Sequence, residues 1–441
     1  MKNYMQKRIR LEPCWLLLLC IWILSLYIKS NVNDELALSI PYILLFAEII
    51  FFRKVSYKPS KVVSWFIFYI SYLTLITIFN FLIGTSNNYS SSSRLKICLF
   101  VFVVPIFLIS FVVYNNKSKN KQKFLILFRN FMCVCSLLGI FEYISKKQIF
   151  ISLITSDGAL RNLKTYSNIA SRSYRLCLFF YHPTYYCIFL AIGIIFLIYF
   201  PLKNKIANLL FFLLLITNML LTQSRIGWLS LCIILCFYLI KRNRNKVKKL
   251  TQRKLFNRLF LLVVAALVIF CLIKYSNNFI QIVASYYQRI IELNSSNLTY
   301  GARLQNISLI PLMVSQPYGV LHLLFGGGFR YGLSCLENHP SLNGWTSAID
   351  NQFLTSILDT GLVGTTIFII FVVYAFVGFF KKTSKENEAV FLSILLIIIS
   401  AAAYDLVSTS SLYSLFIILI SITCEKKEPV AVYLSEGKER V

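Results

Sequence analysis

Charged residues are scarce in this chain: Asp, Glu, Lys and Arg make up only 14% of its 441 residues. A water-soluble domain of this length carries roughly 25% charged residues. Hydrophobic residues reach 57%, and the mean hydropathy is +0.69. Because long uncharged apolar runs recur along the chain, the composition excludes an ordinary soluble enzyme and indicates a polytopic membrane protein.

Acidic residues are the rarer of the two charge types. The chain has 17 Asp and Glu against 45 Lys and Arg, so its formal net charge is +28. Such an excess has two interpretations: a surface that binds nucleic acid, or basic loops on the cytoplasmic side of a membrane. The apolar runs favour basic cytoplasmic loops, and no nucleic-acid partner is predicted.

The 12 cysteines do not predict a disulfide framework. Most of them lie inside apolar runs, where a free cysteine behaves as a small hydrophobic residue. Cys133 and Cys135 lack the spacing of metal ligands, and no histidine pair lies near them in the sequence. We therefore predict neither a structural disulfide nor a metal site.

Apolar windows that suit a hydrocarbon core of ~30 Å occur about twelve times, which predicts an all-α polytopic membrane protein. The first window follows a basic N-terminus without a small-residue cleavage site, so we interpret it as a retained helix. The windows are 14–28, 36–52, 62–83, 95–114, 124–144, 183–200, 206–222, 225–240, 258–274, 351–379, 388–404 and 411–424.

Basic residues concentrate in alternate loops, which predicts the orientation of the helices. The densest stretch is "KRNRNKVKKLTQRK" at 241–254. Placing it in the cytoplasm also places both termini there. The predicted organisation is about five helices in 1–144, an outer loop at 145–182, about four helices in 183–274, one large extracytoplasmic loop at 275–350, about three helices in 351–424 and a cytoplasmic tail at 425–441.

Arginines are frequent in the predicted outer segments, and Arg225 lies in a short outer turn within "LLTQSRIGWLSL" at 220–231. Arg225 either snorkels to the interface or belongs to an anion site. Arginine offers a planar fork that binds phosphate through paired hydrogen bonds, which lysine lacks. A cluster of arginines therefore suggests a site for a pyrophosphate-lipid headgroup. The other outer arginines are Arg161, Arg172, Arg175, Arg289, Arg303 and Arg330.

Two further features have more than one interpretation. Glu48 and Glu142 lie inside predicted spans, where an ionisable residue suggests function, but both lie near the span ends. The glycines at 326–328 either cradle a phosphate with their N–H groups or form a flexible turn. Because the strand and lysine of a P-loop are missing, the turn is favoured.

Several segments follow one another in a characteristic order. They are "RLCLFFYHPTYYCIFLA" at 175–191, "SRIG" at 224–227, "GARLQNISLIPLM" at 301–313, "LFGGGFRYG" at 324–332 and "AIDNQFLTSILDTGLVGTTIF" at 348–368. In order, spacing and sidedness they resemble the O-antigen polymerase and ligase superfamily (Wzy-type proteins). The resemblance covers roughly residues 140–380; the chain before it matches only as membrane helices.

The resemblance implies a glycosyltransferase in the plasma (inner) membrane of a bacterium. It would polymerise oligosaccharide repeat units linked to undecaprenyl pyrophosphate on the outer face, for O-antigen or capsular polysaccharide. No cofactor and no metal are implied, because the donor carries the energy and no Asp-x-Asp pattern lies in the outer segments. The implied partners are the lipid-linked oligosaccharide, the bilayer, and a chain-length regulator and flippase of the same pathway.

The candidate site residues all lie in outer segments. Arg225, Arg175 and Arg303 are the catalytic candidates that stabilise charge on the leaving pyrophosphate. His182, Asp350 and His339 are candidate bases; His182 or Asp350 would otherwise cap the helix that follows it, and His339 would be a plain loop residue. The substrate-binding candidates are Arg172, Arg330, Arg161, Ser224, Tyr181 and His339.

One position departs from the pattern of the ligases in this superfamily. Those relatives usually carry a histidine just before the last of the matching helices, where this chain has Asp350 and Asn351. The difference favours a polymerase. The alternatives are a ligase-type transferase, a flippase or transporter of the lipid-linked unit, and a scaffold in a polysaccharide export complex.

Overall fold

The computed structural model describes residues 60–83, 118–145, 174–180, 182–244, 306–315, 318–338, 349–381, 383–406 and 410–423. Within these ranges the chain forms helices and no β-strand, in agreement with the predicted all-α class. The predicted windows 14–28, 36–52, 95–114 and 258–274 lie outside the described residues. The number of spans, the position of the termini and the loop boundaries therefore remain predictions.

The described residues form α-helices that coincide with all the other predicted windows. Three additional short helices, α6 to α8, lie within the predicted outer loop. In chain order the helices are α1 (Lys61–Ile83), α2 (Ser118–Ser145), α3 (Pro183–Tyr199), α4 (Lys205–Thr222), α5 (Arg225–Arg244), α6 (Leu309–Ser315), α7 (Gly319–Phe325), α8 (Tyr331–Asn338), α9 (Gln352–Phe380), α10 (Lys385–Ser400) and α11 (Ser410–Ile422).

Several of these helices are long and apolar enough to cross a membrane. Pro183–Tyr199 is also apolar but shorter. The chain is therefore a multi-pass membrane protein. The 5 candidate spans among the described residues are Lys61–Ile83, Lys121–Ser145, Lys205–Thr222, Gln352–Phe380 and Lys385–Ala403.

Contacts at one end of the bundle show that α1 runs opposite to α11 and that α5 runs opposite to α10. Ser60, just before α1, shares a hydrogen bond with Thr423, just after α11, with 2.9 Å between the hydroxyl oxygens. Lys241, in the last turn of α5, forms a salt bridge of 2.8 Å with Glu388 in the first turn of α10. This basic end is the one that the loop charges assign to the cytoplasm.

Two helices form the centre of the bundle because they are apolar around their whole circumference. In α3 every residue from Tyr186 to Leu197 is buried, and in α10 every residue from Ala389 to Ile398 is buried. The surrounding helices expose large apolar side chains; Leu82 in α1, for example, is 75% exposed. Such a surface fits the hydrocarbon of a bilayer.

Helix α9 is broken at Gly361, where φ is 65° and ψ is −171°. A residue with a Cβ atom is strained in this conformation, so glycine is needed here. A Cβ at this position would also lie 2.5 Å from both Gly326 N and Leu324 O. The break therefore brings the segment after α7 into direct contact with the backbone of α9.

The contact is made through backbone hydrogen bonds. Gly327 N donates to Leu358 O at 3.1 Å, and Gly328 N donates to Asp359 O at 2.9 Å. Both acceptors lie in the turn of α9 just before the break. The segment from the predicted outer loop is thus fixed on a long helix by hydrogen bonds that an unbroken helix would use internally.

We expect the substitution Gly361→Ala to destabilise the protein by at least about 2 kcal/mol, because it adds backbone strain and a clash with Gly326. Thermal unfolding of the purified protein in detergent measures this as a lower midpoint. Leu362→Ala, at the adjacent exposed position, is the matched control and should change the midpoint little. Equal midpoints for the two variants would show that the break is not required.

Candidate functional site

The turn between α4 and α5 builds the arginine motif. Helix α4 ends at Thr222, and Gln223 adopts a left-handed conformation with φ of 53° that reverses the chain. Ser224 follows, and Arg225 is the first residue of α5 with an exposed side chain. The motif therefore presents its arginine from a tight turn between two helices, where the sequence placed it.

Other residues of the motif secure this turn by packing. A Cβ on Gly227 would lie 2.4 Å from Cys187 Sγ, so glycine lets α5 approach α3 closely. The Trp228 indole N–H donates to Met219 O at 2.9 Å and ties α5 to α4. The Ser224 hydroxyl is buried, and within the described ranges it has no hydrogen-bond partner. Gly227 and Trp228 of the motif therefore serve mainly to pack the turn that carries Arg225.

Arg175 lies against the same turn. Its Nε donates to Thr222 O at 3.2 Å, and the adjacent Leu176 N donates to Leu221 O at 3.1 Å. The structure therefore brings Arg175 close to the turn that carries Arg225, although Arg175 and Arg225 are 50 residues apart in the sequence. Two of the three predicted catalytic arginines are neighbours in the fold.

Glu142 anchors the segment that carries Arg175. Its fully buried carboxylate accepts hydrogen bonds from the Tyr174 hydroxyl at 3.0 Å and from Leu178 N at 3.3 Å. Burial, followed by the neighbouring Glu142 carboxylate, raises the pKa of Tyr174 well above its ordinary value, so the phenol stays protonated and donates. This acid in a predicted span therefore holds the chain that leads to Arg175.

His182 caps α3, which was the alternative to a catalytic role that the sequence offered for this residue. Its Nδ1 accepts a hydrogen bond from Thr184 N at 3.1 Å. Because Nδ1 is an acceptor, the neutral imidazole carries its proton on Nε2. The imidazole centroid lies 4.9 Å from the Tyr185 ring, which in turn lies 5.9 Å from the Tyr404 ring after α10.

A second group of polar side chains lines a small pocket between α1, α9 and the segment after α10. The pocket has about 220 Å³ of space, part of which is open to solvent. The hydroxyl oxygens of Tyr69 and Ser356 lie 3.2 Å apart, and Gln352 Nε2 donates to the same Ser356 oxygen at 3.2 Å. Two carboxylates, Asp359 and Asp405, also line this pocket.

Asp359 holds the backbone of the segment after α7. Its buried carboxylate accepts Arg330 N at 2.8 Å on Oδ2 and Gly332 N at 2.9 Å on Oδ1. Asp359 and Asp405 were not among the site residues predicted from the sequence. For Asp359, the available signal was an acidic residue inside an apolar run.

Arg330 lies next to the pocket. Its backbone is left-handed with φ of 61°, and its guanidinium carbon lies 5.6 Å from the centroid of the Phe329 ring. Phe329 itself lines the pocket. The Arg330 Nε is buried and has no hydrogen-bond partner in the part of the chain that the structure describes.

The triple glycine does not form a phosphate cradle. The N–H of Gly326 donates to His322 O at 2.7 Å, and those of Gly327 and Gly328 donate to carbonyls of α9. Because all three N–H groups bind backbone oxygens, none is available to a phosphate. The alternative interpretation, a turn, is confirmed, and it is a turn fixed against α9.

Asp350 precedes α9 without capping it. The cap is Asn351, whose Oδ1 accepts Phe353 N at 3.0 Å and Leu354 N at 3.2 Å. The capping interpretation of Asp350 is therefore wrong, because the chain places the next residue at the cap position. Asp350 is half-buried, with a left-handed φ of 51°.

The arginine turn and the acidic pocket lie at the same end of the bundle. Ser230 in α5 and Ser400 at the end of α10 share a hydrogen bond, with 2.8 Å between their oxygens. Farther along the same segment, Tyr404 O accepts Gln352 N at 3.1 Å. The chain between Ser400 and Tyr404 thus joins the arginine side of the site to the carboxylate side.

The remaining candidates lie outside the described residues, and their roles stay predictions. They are Arg303, Arg172, Arg161, Tyr181 and His339. Within the described ranges, no group of three His, Cys, Asp or Glu residues is arranged to hold a metal ion.

The described side chains suit a ligand with two chemically distinct parts. The exposed or half-buried guanidinium groups are suited to an anionic group, for which arginine is well adapted. The carboxylate, amide and hydroxyl groups around the pocket are suited to a partner that carries many hydroxyls. Both sets of side chains lie at the same end of the bundle.

One segment of the chain is similar to a known protein family. Residues 210–369 match the family model described as O-antigen ligase. The matched segment runs from α4 through the arginine turn and the triple glycine into α9 beyond its break. No curated protein matches the chain. Over these residues the match supports a relation to the O-antigen polymerase and ligase superfamily.

Proposed function

We propose that this protein is a membrane glycosyltransferase that polymerises oligosaccharide repeat units carried on undecaprenyl pyrophosphate. The observation that carries the proposal is the pairing of Arg175 with the turn of Arg225 at the same end of the bundle as a carboxylate-lined pocket. The family match supports a membrane enzyme of polysaccharide biosynthesis. The acceptor in our proposal is a second lipid-linked repeat unit.

The proposed reaction exchanges one glycosidic bond for another. The bond between the anomeric carbon of the donor glycan and its pyrophosphate breaks, and the pyrophosphate lipid leaves with the electron pair. A hydroxyl oxygen of the incoming repeat unit bonds to the same carbon and loses its proton. Arg225, Arg175 and Arg303 are proposed to stabilise the charge on the leaving pyrophosphate, and Arg330 to bind the lipid-linked substrates.

The proton of the acceptor hydroxyl needs a base. Asp350 is the proposed base, because His182 uses Nδ1 as a helix cap and presents a protonated Nε2 when neutral. His182 is then suited to donate a hydrogen bond to the donor or its phosphates. The polar group of Gln352, Ser356 and Asp405 is proposed to bind acceptor hydroxyls.

The second candidate function is that of a ligase, which transfers a finished glycan to a different acceptor. The description of the matching family favours it. The sequence before α9 favours the polymerase, since Asp350 and Asn351 stand where ligases of the superfamily usually carry a histidine. In either case we propose that the protein works on the outer face of a bacterial plasma membrane, with a flippase and a chain-length regulator as partners in the polymerase pathway.

We expect Arg225→Ala to reduce the rate of transfer about 100-fold, because one preorganised donor to the leaving group is lost. Arg225→Lys keeps the charge but loses the fork, so we expect a loss of about tenfold or more. The assay uses purified protein in liposomes with lipid-linked repeat units, and resolves the products by length.

The product pattern and a control complete this test. A ladder of lengths identifies a polymerase, and a single transfer to a non-repeat acceptor identifies a ligase. Lys205→Ala, which removes an exposed cation at the opposite end of the bundle, should keep normal yield. Full-length product at normal yield from both Arg225 variants would refute the catalytic role of Arg225.

Asp359 is expected to act through Arg330, because its carboxylate fixes the Arg330 and Gly332 N–H groups. Asp359→Asn should lower kcat/KM about tenfold when Arg330 is present. The new side-chain NH2 is a donor, so it cannot accept one of these two N–H groups and that hydrogen bond is lost. In an Arg330→Ala background the same change should cost less than about twofold.

Glu142→Gln is the matched comparison for this cycle, since Glu142 is also a buried carboxylate that accepts a backbone N–H, but from the segment that leads to Arg175. The fold-loss in kcat/KM caused by Glu142→Gln should multiply with the fold-loss caused by Arg330→Ala, because the two changes act on separate parts of the site. If Asp359→Asn also multiplies with Arg330→Ala, the positioning role of Asp359 is wrong.

A further inference from the structure

Helix α7 presents an entirely apolar face to the outside of the protein. Its exposed side chains are Val320, Leu321, Leu324 and Phe325, with exposed fractions of 61%, 52%, 40% and 45%. Its one polar side chain, His322, is buried on the opposite side. An exposed apolar patch of this kind marks an interaction surface.

Hydrogen bonds place the end of α7 at the depth of a membrane-spanning helix. The Tyr72 hydroxyl donates to Phe325 O at 2.9 Å. Tyr72 lies near the middle of α1, roughly three turns or about 16 Å before Ile83. Asn80 and Thr77, which bind Gly326 and Phe329, lie about 5 and 9 Å before Ile83. Since the hydrocarbon core is ~30 Å thick, an α1 that spans it holds the turn after α7 in the part of the core nearest the loop side.

The turn after α7 satisfies the condition for irregular backbone at this depth. Hydrocarbon offers no hydrogen bonds, so each polar backbone group needs a partner in the protein. The groups of the turn find partners on α7, α9 and α1. The bonds are Gly326 N to His322 O, Gly327 N to Leu358 O, Gly328 N to Asp359 O, Asn80 Nδ2 to Gly326 O and Phe329 N to Thr77 Oγ1.

The neighbouring helices expose the same chemistry. Phe79 and Leu82 on α1 are 59% and 75% exposed, and Leu362 on α9, just after the break, is 46% exposed. These side chains belong to candidate membrane spans. Helix α7 packs on α9, and its last residue is hydrogen-bonded to Tyr72 of α1. We therefore expect the exposed face of α7 to lie in the same environment as these side chains of α1 and α9.

We propose that α7 and the glycine turn form a re-entrant element, packed on α9 and joined to α1 by hydrogen bonds, in the leaflet on the loop side of the membrane, and that the exposed face of α7 contacts lipid acyl chains. Part of the predicted 275–350 outer loop then lies within the bilayer. The inference rests on depth, exposure and backbone pairing, and is independent of the proposed reaction.

The test places a fluorescent non-canonical amino acid at Leu321 of the full-length protein, reconstituted in phosphatidylcholine and phosphatidylglycerol vesicles. We expect phospholipids with brominated acyl chains to quench this probe at least about twofold, and aqueous iodide to have little effect. Leu75, an exposed residue of α1, is the lipid-facing control, and Lys205 is the aqueous control.

Two results would overturn the proposal. Quenching by iodide but not by brominated lipid, as at Lys205, would place α7 in water. Quenching by neither reagent would show that protein covers the face, for example a second copy of the chain. The same probe at Val320 provides the measurement if the Leu321 variant does not fold.

Discussion

Hydrogen bonding of the backbone away from water is the constraint on which the rest of this structure depends. A break in a membrane-spanning helix exposes carbonyl groups that hydrocarbon cannot satisfy. In α9 the break at Gly361 is matched by the glycine turn, whose N–H groups bind Leu358 O and Asp359 O. The glycines are needed for close approach on both sides, and the result is a loop segment fixed on the bundle.

The same logic explains how the site acquires its side chains. Asp359, next to the break, extends the backbone pairing by accepting the N–H groups of Arg330 and Gly332. Glu142 does the equivalent for the segment that leads to Arg175. Buried carboxylates therefore act on backbone donors at two separate places. In each case the bound segment carries an arginine to the same end of the bundle.

The Ser-Arg-x-Gly motif combines packing with chemistry. Gly227 allows α5 to lie against Cys187 of α3, and Trp228 ties α5 back to α4. The turn between the helices is consequently short and fixed, so Arg225 begins a helix rather than lying in a mobile loop. Preorganisation of this kind is what a charged group needs in order to stabilise charge that develops during a reaction.

The sequence by itself determined the membrane class, the windows of all the long described helices and the turn position of Arg225, because these depend on local composition and periodicity. It also indicated the family, through motifs whose order survives without any knowledge of contacts. It favoured a turn for the glycines at 326–328 but did not predict that the turn binds the backbone of α9, and it offered the wrong residue as the cap of α9. Both points depend on which neighbour occupies a hydrogen-bonding position. Only the tertiary structure decided that Asp359 holds Arg330, that Glu142 holds the Arg175 segment, and that the arginine turn and the carboxylate pocket share one end. These relations join residues far apart in the chain, and local sequence carries no information on which distant group satisfies a buried donor or acceptor.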